Sequence, residues 1–221
     1  MLGEGRVGKT SLLQRFVTNS FDDECTSTTK ASMYAKLKIS LSNGTVAMLS
    51  IWDTAGQERY HALGPIYYRD AHGALLLYDI TDYESFLKVK IWLKELQEVV
   101  GSQNISVVIV GNKIDLERER RVPVKEAEDW ARQQSARHFI VSAKLGINVA
   151  EPFEAVAVNV VERIDKDNRI AEESSRLVSD GITSKMPVRL GVLPPRSRGV
   201  KINLSETSDD CDSPVERHCS C

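Results

Sequence analysis

Eight residues at the front of the chain, Gly3-Glu4-Gly5-Arg6-Val7-Gly8-Lys9-Thr10, fit the pattern G-x-x-x-x-G-K-[ST]. They run straight into the helical stretch Ser11-Leu12-Leu13-Gln14-Arg15-Phe16. No other segment constrains the fold as much. Glycines at this spacing let the backbone turn its N–H groups inward around phosphate oxygens, and the amino terminus of the following helix adds partial positive charge. Lys9 has the reach to bridge outer phosphates, and the Thr10 hydroxyl suits Mg²⁺. Val7 and Ser11 complete the loop and the first helical turn.

Downstream, apolar β-rich runs alternate with helical patterns. Residues 47–52, 74–78, 105–110 and 139–141 read as strands, mostly too continuously apolar for a sheet exposed on one face. Residues 9–18, 83–100, 124–135 and 149–164 read as helices. This alternation means right-handed crossovers and an α/β fold, a largely parallel sheet with helices on both faces. Within residues 36–53, Ser42-Asn43-Gly44 separates two strand-like runs and reads as a hairpin turn, giving one antiparallel edge strand. From about residue 165 Pro, Ser, Gly and scattered charges dominate. Residues 165–221 are therefore expected to form a flexible tail behind a single domain of residues 1–164.

Two further motifs sit at strand ends, where ligands of parallel sheets bind. Asp53-Thr54-Ala55-Gly56-Gln57 follows the strand Leu49-Ser50-Ile51-Trp52. A carboxylate there can hold Mg²⁺ through water, Gly56 can bring its N–H against a γ-phosphate oxygen, and Gln57 can orient an attacking water. Asn112-Lys113-Ile114-Asp115 ends another strand, and Ser142-Ala143-Lys144 ends the next. An aspartate accepts two hydrogen bonds from guanine N1–H and N2–H₂, a donor pair adenine lacks. Asp115 thus selects guanine, since leaving that carboxylate unpaired would cost adenine on the order of several kcal/mol. Lys113 would cover the ring with its stem, Asn112 would tie loops together, and the Ala143 N–H would meet the guanine O6. An ATP-using P-loop enzyme shares the first motif, and Asp115 argues against it.

Composition narrows the class. With 29 Lys and Arg against 31 Asp and Glu, the net charge is −2. Bulk attraction to nucleic acid is absent, and no nucleic-acid partner is expected. The four cysteines are Cys25 and the carboxyl-terminal Cys211, Cys219 and Cys221, which is no framework of spaced bridges and suits a reducing compartment. No run of about twenty apolar residues spans a bilayer, so membrane contact has to come from a modification.

Together these elements resemble the Ras-like small GTPases, which are P-loop NTPases, over residues 1 to about 164. Trp52-Asp53-Thr54-Ala55-Gly56-Gln57-Glu58-Arg59-Tyr60 and Ile66-Tyr67-Tyr68-Arg69 resemble the Rab branch, and His61-Ala62-Leu63-Gly64-Pro65 resembles its endocytic members. The resemblance implies a GTP/GDP switch with slow hydrolysis, Mg²⁺, and switch loops at about residues 22–32 and 55–68. It places Thr28, with Thr26 and Thr29 as neighbouring alternatives, as the threonine that ligates Mg²⁺ only with GTP bound. Met33, Trp52 and Tyr67 take the positions of the apolar triad that meets effectors, methionine replacing the usual aromatic. Lys30 stands where the family usually has glycine. The partners implied are an exchange factor, a GTPase-activating protein, a dissociation inhibitor and effectors.

The ending His218-Cys219-Ser220-Cys221 resembles the Cys-x-Cys terminus on which Rabs carry two geranylgeranyl groups, enough to anchor stably where one chain binds reversibly. A flexible coil of this length reaches about 40 Å. The expected location is the cytosolic face of intracellular membranes, the early endosome, with a cytosolic pool. One departure stands at the front. In this family a buried apolar strand in mid-sheet runs into the glycine loop, whereas only Met1-Leu2 precede Gly3 here. The first central strand is therefore expected to be missing through truncation. The alternative function is a fragment that docks partners without gripping nucleotide.

Overall fold

The computed structural model describes residues 1–23, 32–41, 44–54, 71–101 and 105–179. Two units divide the chain, Met1–Pro187 and Val188–Cys221, and every described residue belongs to the first. Its strands are β1 (Leu2–Gly3), β2 (Ser32–Ser40), β3 (Val46–Asp53), β4 (Gly73–Asp79), β5 (Ser106–Asn112) and β6 (Arg137–Ile140). Its helices are α1 (Lys9–Thr18), α2 (Tyr83–Val100), α3 (Val124–Gln133) and α4 (Glu151–Ser179), with a 3₁₀ segment at Ile114–Glu119.

Side-chain alternation along β4 builds the two halves of the core. Leu76 and Tyr78 point to one face, packing with Phe86, Val89, Trp92, Leu93 and Leu96 of α2 and Ala127 and Ala131 of α3. Leu75 and Leu77 point to the other, against Leu12 and Leu13 of α1 and Phe153 and Ala155 of α4. Both faces are covered, as a parallel sheet requires. The apolar positions of α2 recur at three- and four-residue steps, so one stripe meets the sheet. Asp82 starts that helix by accepting the Glu84 N–H at 3.1 Å, and the Gly101 N–H closes it on the Gln97 carbonyl at 2.9 Å. Each large apolar side chain on this stripe stabilises the fold by about 1.5–3 kcal/mol when fully buried.

The sheet is four-stranded and parallel, in the order β1-β4-β5-β6, and β2 with β3 forms a separate antiparallel pair. The expected edge strand is thus an antiparallel ladder of its own. Its turn closes through Leu41 N–H to Thr45 O at 2.8 Å and Gly44 N–H to Leu41 O at 2.9 Å, while Ser42 and Asn43 lie outside the described residues. Contrary to the reading of continuous apolarity, β3 is open on one side. Val46, Met48 and Trp52 are exposed, and Ala47, Leu49, Ile51 and Asp53 turn inward.

The first strand and the last helix also bear on what the sequence led one to expect. Of the central strand expected to be missing, the two residues Leu2 and Gly3 are in place, paired in parallel with Leu76 and Leu77. Met1 reaches the other side: its amino group donates to Trp52 O at 2.8 Å, and its carbonyl accepts from Thr54 Oγ1 at 2.6 Å. The first of those bonds satisfies one β3 carbonyl. The last helix does not stop at residue 164 but continues to Ser179. Residues 165–179 hold good helix formers and no proline or glycine, so propensity carries the helix on where the apolar stripe gives out. Ile170 there is 53% exposed.

Parallel register brings the carboxyl ends of the strands to one edge. Asp79 of β4 lies opposite Asn112 of β5, and the loop after β1 and the segment after β6 open on the same side.

Candidate functional site

The loop between β1 and α1 is held in an unusual conformation. Gly8, the residue before α1, has φ +90°, and a Cβ there would sit 2.5 Å from Asn112 Nδ2, so neither the backbone nor the space tolerates a side chain. No side chain caps α1 and its first turn carries no acid, which leaves the helix's amino end to attract an anion. Lys9 is 5% exposed and donates from Nζ to the carbonyls of Gly3 and Glu4, each at 2.9 Å. Burial pushes its ammonium down to about 8, with Asp53 and Glu4 opposing the shift. The Glu4 carboxylate takes the Gly5 N–H at 3.1 Å and pairs with Lys88 of α2 at 3.0 Å, fastening the loop to its neighbour helix.

A metal position follows from the oxygens beside Lys9. Thr10 Oγ1 donates to Asp53 Oδ2 at 2.6 Å. Asp53 is 2% exposed, and its Oδ1 is buried with no hydrogen-bond partner among the described residues. An orphaned buried carboxylate oxygen is costly unless a cation or ordered water meets it. Hydroxyl and carboxylate oxygens are the hard donors Mg²⁺ takes, so these residues fit that ion. Among the described residues no cluster of three or more His, Cys, Asp or Glu could hold a metal by itself.

The opposite end is built from the loops after β5 and β6. Asn112, 2% exposed, donates from Nδ2 to Val7 O at 2.9 Å and accepts the Ala143 N–H on Oδ1 at 3.1 Å. Its side chain thereby joins the glycine loop to the segment after β6. Lys113 has φ +71° and pairs with Asp79 at 2.6 Å. Asp115 accepts from Ser142 Oγ at 2.6 Å, and the same oxygen takes the Leu145 N–H at 2.9 Å. Lys144 donates to Asp23 at 3.0 Å.

Between the two ends lies a cavity of about 490 Å³. Gly5, Gly8, Lys9, Thr10 and Ser11 line one part, Asn112, Lys113, Asp115, Ala143 and Lys144 the other, and Phe21, Asp22 and Asp23 a wall between. Gly3, Val7, Asp53 and Ser142 stand behind the lining and hold it through the bonds given above. Trp52 is 45% exposed, and Met33 is its cross-strand partner. Thr28, Gly56, Gln57, Tyr67, Cys219 and Cys221 lie outside the described residues.

The sequence left several participants unread. Asp79 ends β4 in register with Asn112, so the strand-end rule that picks out Asp53 would have found it. Arg6, with φ +64°, lines the phosphate side of the cavity. Arg15 on α1 donates to the carbonyls of Ala143 and Lys144, and nothing in the sequence pattern signals that reach.

A model of the Ras family matches residues 1–162. Similar proteins include Ras-related protein Rab-21 of Homo sapiens, 50% identical over 169 residues, covering 76% of this chain and 74% of the relative. Rab-21 of Dictyostelium discoideum is 42% identical over 207 residues, covering 91% and 92%. Ras-related protein Rab-17 of Homo sapiens is 41% identical over 170 residues, covering 76% and 78%.

Proposed function

The chain belongs to the Ras family of small GTPases, in its Rab branch, and from that premise we propose that it is a slow GTP-hydrolysing switch of endosomal membrane traffic. The observation that carries the reading is a cavity with a phosphate loop at one end and Asp115, held by Ser142, at the other. Guanine would donate N1–H and N2–H₂ to Asp115 and offer O6 to the Ala143 N–H, whose hydrogen would then be shared between O6 and Asn112 Oδ1. The phosphates would meet the amino end of α1 and the Lys9 ammonium, which lies next to the carbonyls of the loop it would share with them.

Thr10 and Asp53, with Thr28, would hold Mg²⁺, which when bound neutralises charge on the outer phosphates. Gly56 would donate its N–H to the γ-phosphate, and Gln57 would hold the attacking water in line. Residues 22–32 and 55–68 would be ordered by these contacts and released after hydrolysis. With Gln57 but no arginine finger supplied by a partner, turnover is expected at about 10⁻⁴–10⁻² per second. An activating protein would supply that arginine, an exchange factor would eject GDP, and effectors would read the exposed Trp52 with Met33 and Tyr67. No helix among the described residues is long and apolar enough to cross a membrane. Geranylgeranyl groups on Cys219 and Cys221 would attach the chain to the cytosolic face of the early endosome, and a dissociation inhibitor would shield them in the cytosolic pool.

The test is mass spectrometry of the full chain purified from cells, followed by single-turnover hydrolysis with Mg²⁺. Bound GDP, slow release of phosphate from GTP and the mass of two isoprenoid groups are expected. A preparation that is empty and refuses GTP in the presence of Mg²⁺ overturns the nucleotide reading.

A further inference from the structure

Arg15 makes contacts that the reading of Asp115 and Ala143 does not use. It sits in the last turn of α1, on the side of the domain where the segment after β6 passes. Three of its guanidinium nitrogens each find a backbone carbonyl: Nε donates to Ala143 O at 2.8 Å, one terminal nitrogen to Lys144 O at 2.7 Å, the other to Asn19 O at 2.8 Å. The planar fork of arginine suits two adjacent carbonyls, and lysine, a single point charge, cannot hold both in one geometry. The same guanidinium lies 5.9 Å from the centre of the Phe21 ring, within cation–π range. Phe21 and Asp23 line the cavity, and Asp23 returns to the loop by accepting from Lys144. A closed circuit results, running from Arg15 to the Ala143–Lys144 backbone, through the Lys144 side chain to Asp23, and back along residues 19–23 to α1.

The position of the Ala143 N–H is thus set from two sides. Its hydrogen goes to Asn112 Oδ1 at 3.1 Å, and its own residue's carbonyl is drawn the other way by Arg15. Gly146, at φ +72°, supplies the left-handed turn by which the loop passes the arginine stem, where a Cβ would make ordinary contact with Arg15 Cδ at 3.7 Å. We propose that Arg15 is a positioning residue for base selectivity, holding the Ser142–Lys144 loop where it reads the exocyclic group at purine C6. It does so without touching nucleotide, and it links that loop to the chain entering the first switch. The inference rests on the guanine-nucleotide reading above.

The experiment separates the two sides of the base. Full-length wild type, Arg15→Ala and Arg15→Lys are loaded with GDP, inosine diphosphate or 6-thioguanosine diphosphate, and dissociation rates are measured with Mg²⁺. Inosine lacks the 2-amino group that Asp115 would read. The thio analogue keeps that edge but replaces O6 by sulfur, a weak acceptor. In wild type both analogues should leave faster than GDP. In Arg15→Ala the GDP rate should rise about tenfold, the effect of losing roughly one hydrogen bond's worth of discrimination. Its GDP-to-thio ratio should collapse toward one while the GDP-to-inosine ratio stays put, and Arg15→Lys should fall between. Equal acceleration of all three nucleotides would reduce Arg15 to a structural role and overturn the proposal, as would unchanged rates. If Arg15→Ala does not fold, Arg15→Lys decides by the same two ratios. Wild type that fails to prefer GDP over inosine diphosphate would instead defeat the nucleotide reading itself.

Discussion

Replacing Asn112 by alanine should loosen the whole site, because one amide joins its two ends. At 2% exposure the side chain satisfies the Val7 carbonyl at 2.9 Å and the Ala143 N–H at 3.1 Å, and truncation leaves both backbone groups facing a gap. Each buried group left unpaired costs about 1–3 kcal/mol, so allowing for partial relaxation the loss should be about 2–4 kcal/mol. That is a large share of a domain stability of about 5–15 kcal/mol. With a urea m-value of roughly 2 kcal/mol/M, the unfolding midpoint should fall by about 1–2 M. The measurement is equilibrium urea unfolding at two fixed concentrations of GDP, so that the stabilisation contributed by binding can be separated from the fold's own. Asn112→Asp is the companion variant. It keeps the volume and the acceptor facing Ala143 but puts a second acceptor against Val7 O and a charge at a buried position. It should cost at least as much as the alanine change. If it unfolds like wild type while the alanine variant is weakened, the loss is one of volume and the strut argument is wrong; a midpoint shift under about 0.3 M in both would refute it outright.

Four further outcomes follow from the same contacts. Lys9, pushed down to about 8 in the protein, should lose its proton as pH rises, so GDP binding should be flat below pH 7 and about fourfold weaker at pH 8.5; a dissociation constant unchanged over that range would mean its charge is not used. In the nucleotide-free protein the sign reverses: the unfolded chain keeps that proton longer than the folded one, so Lys9 should add stability as pH rises from about 8 toward about 10.5, read as an increase in the urea midpoint. Asp115→Asn should exchange acceptor for donor and move preference from guanine to xanthine nucleotides, by at least tenfold in the ratio of affinities measured by competition. Gln57→Leu should slow single-turnover hydrolysis at least tenfold with GTP affinity unchanged, and undiminished turnover would place another residue on the water.

How far the sequence speaks depends on whether the information is local. The helices α1 and α2 were readable to their end residues because a glycine-loop junction and an Asp82 cap stand at their starts and an apolar stripe runs through them. The Lys9, Thr10, Asn112 and Asp115 cluster was readable because each stands at the carboxyl end of a parallel strand or in the segment that follows it, and the sheet itself does the gathering. Arg15 was not, since its partners are 128 and 129 residues away and its helical position looks like any solvated basic side chain. The extent of α4 was missed for the opposite reason. Composition after residue 164 resembles a tail, yet the stretch to Ser179 contains no breaker and the helix continues without a core to face. The two-residue β1 escaped because strand patterns need more residues than it has, while its pairing needs only Leu76 and Leu77 of β4.

The arrangement also explains how the loops of the site are held together. The groups that would face a nucleotide sit on loops or, as Lys9, Thr10 and Asp115 do, in the first turn of a short helical segment, and a loop at a sheet edge has little packing to hold it. The protein answers with side chains that grip backbone, Lys9 on Gly3 and Glu4, Asn112 on Val7 and Ala143, Arg15 on Ala143 and Lys144, beside the side-chain pairs Thr10–Asp53, Lys113–Asp79, Ser142–Asp115 and Lys144–Asp23. Backbone partners survive substitution of the residues that carry them, so the geometry of Ala143 is set by Asn112 and Arg15 whatever its own side chain. Between those two, only Asn112 also reaches the phosphate loop, through Val7. Disturbance at the base end should therefore pass to the phosphate end through Asn112, and disturbance of Arg15 should stay with the base and the chain entering the first switch.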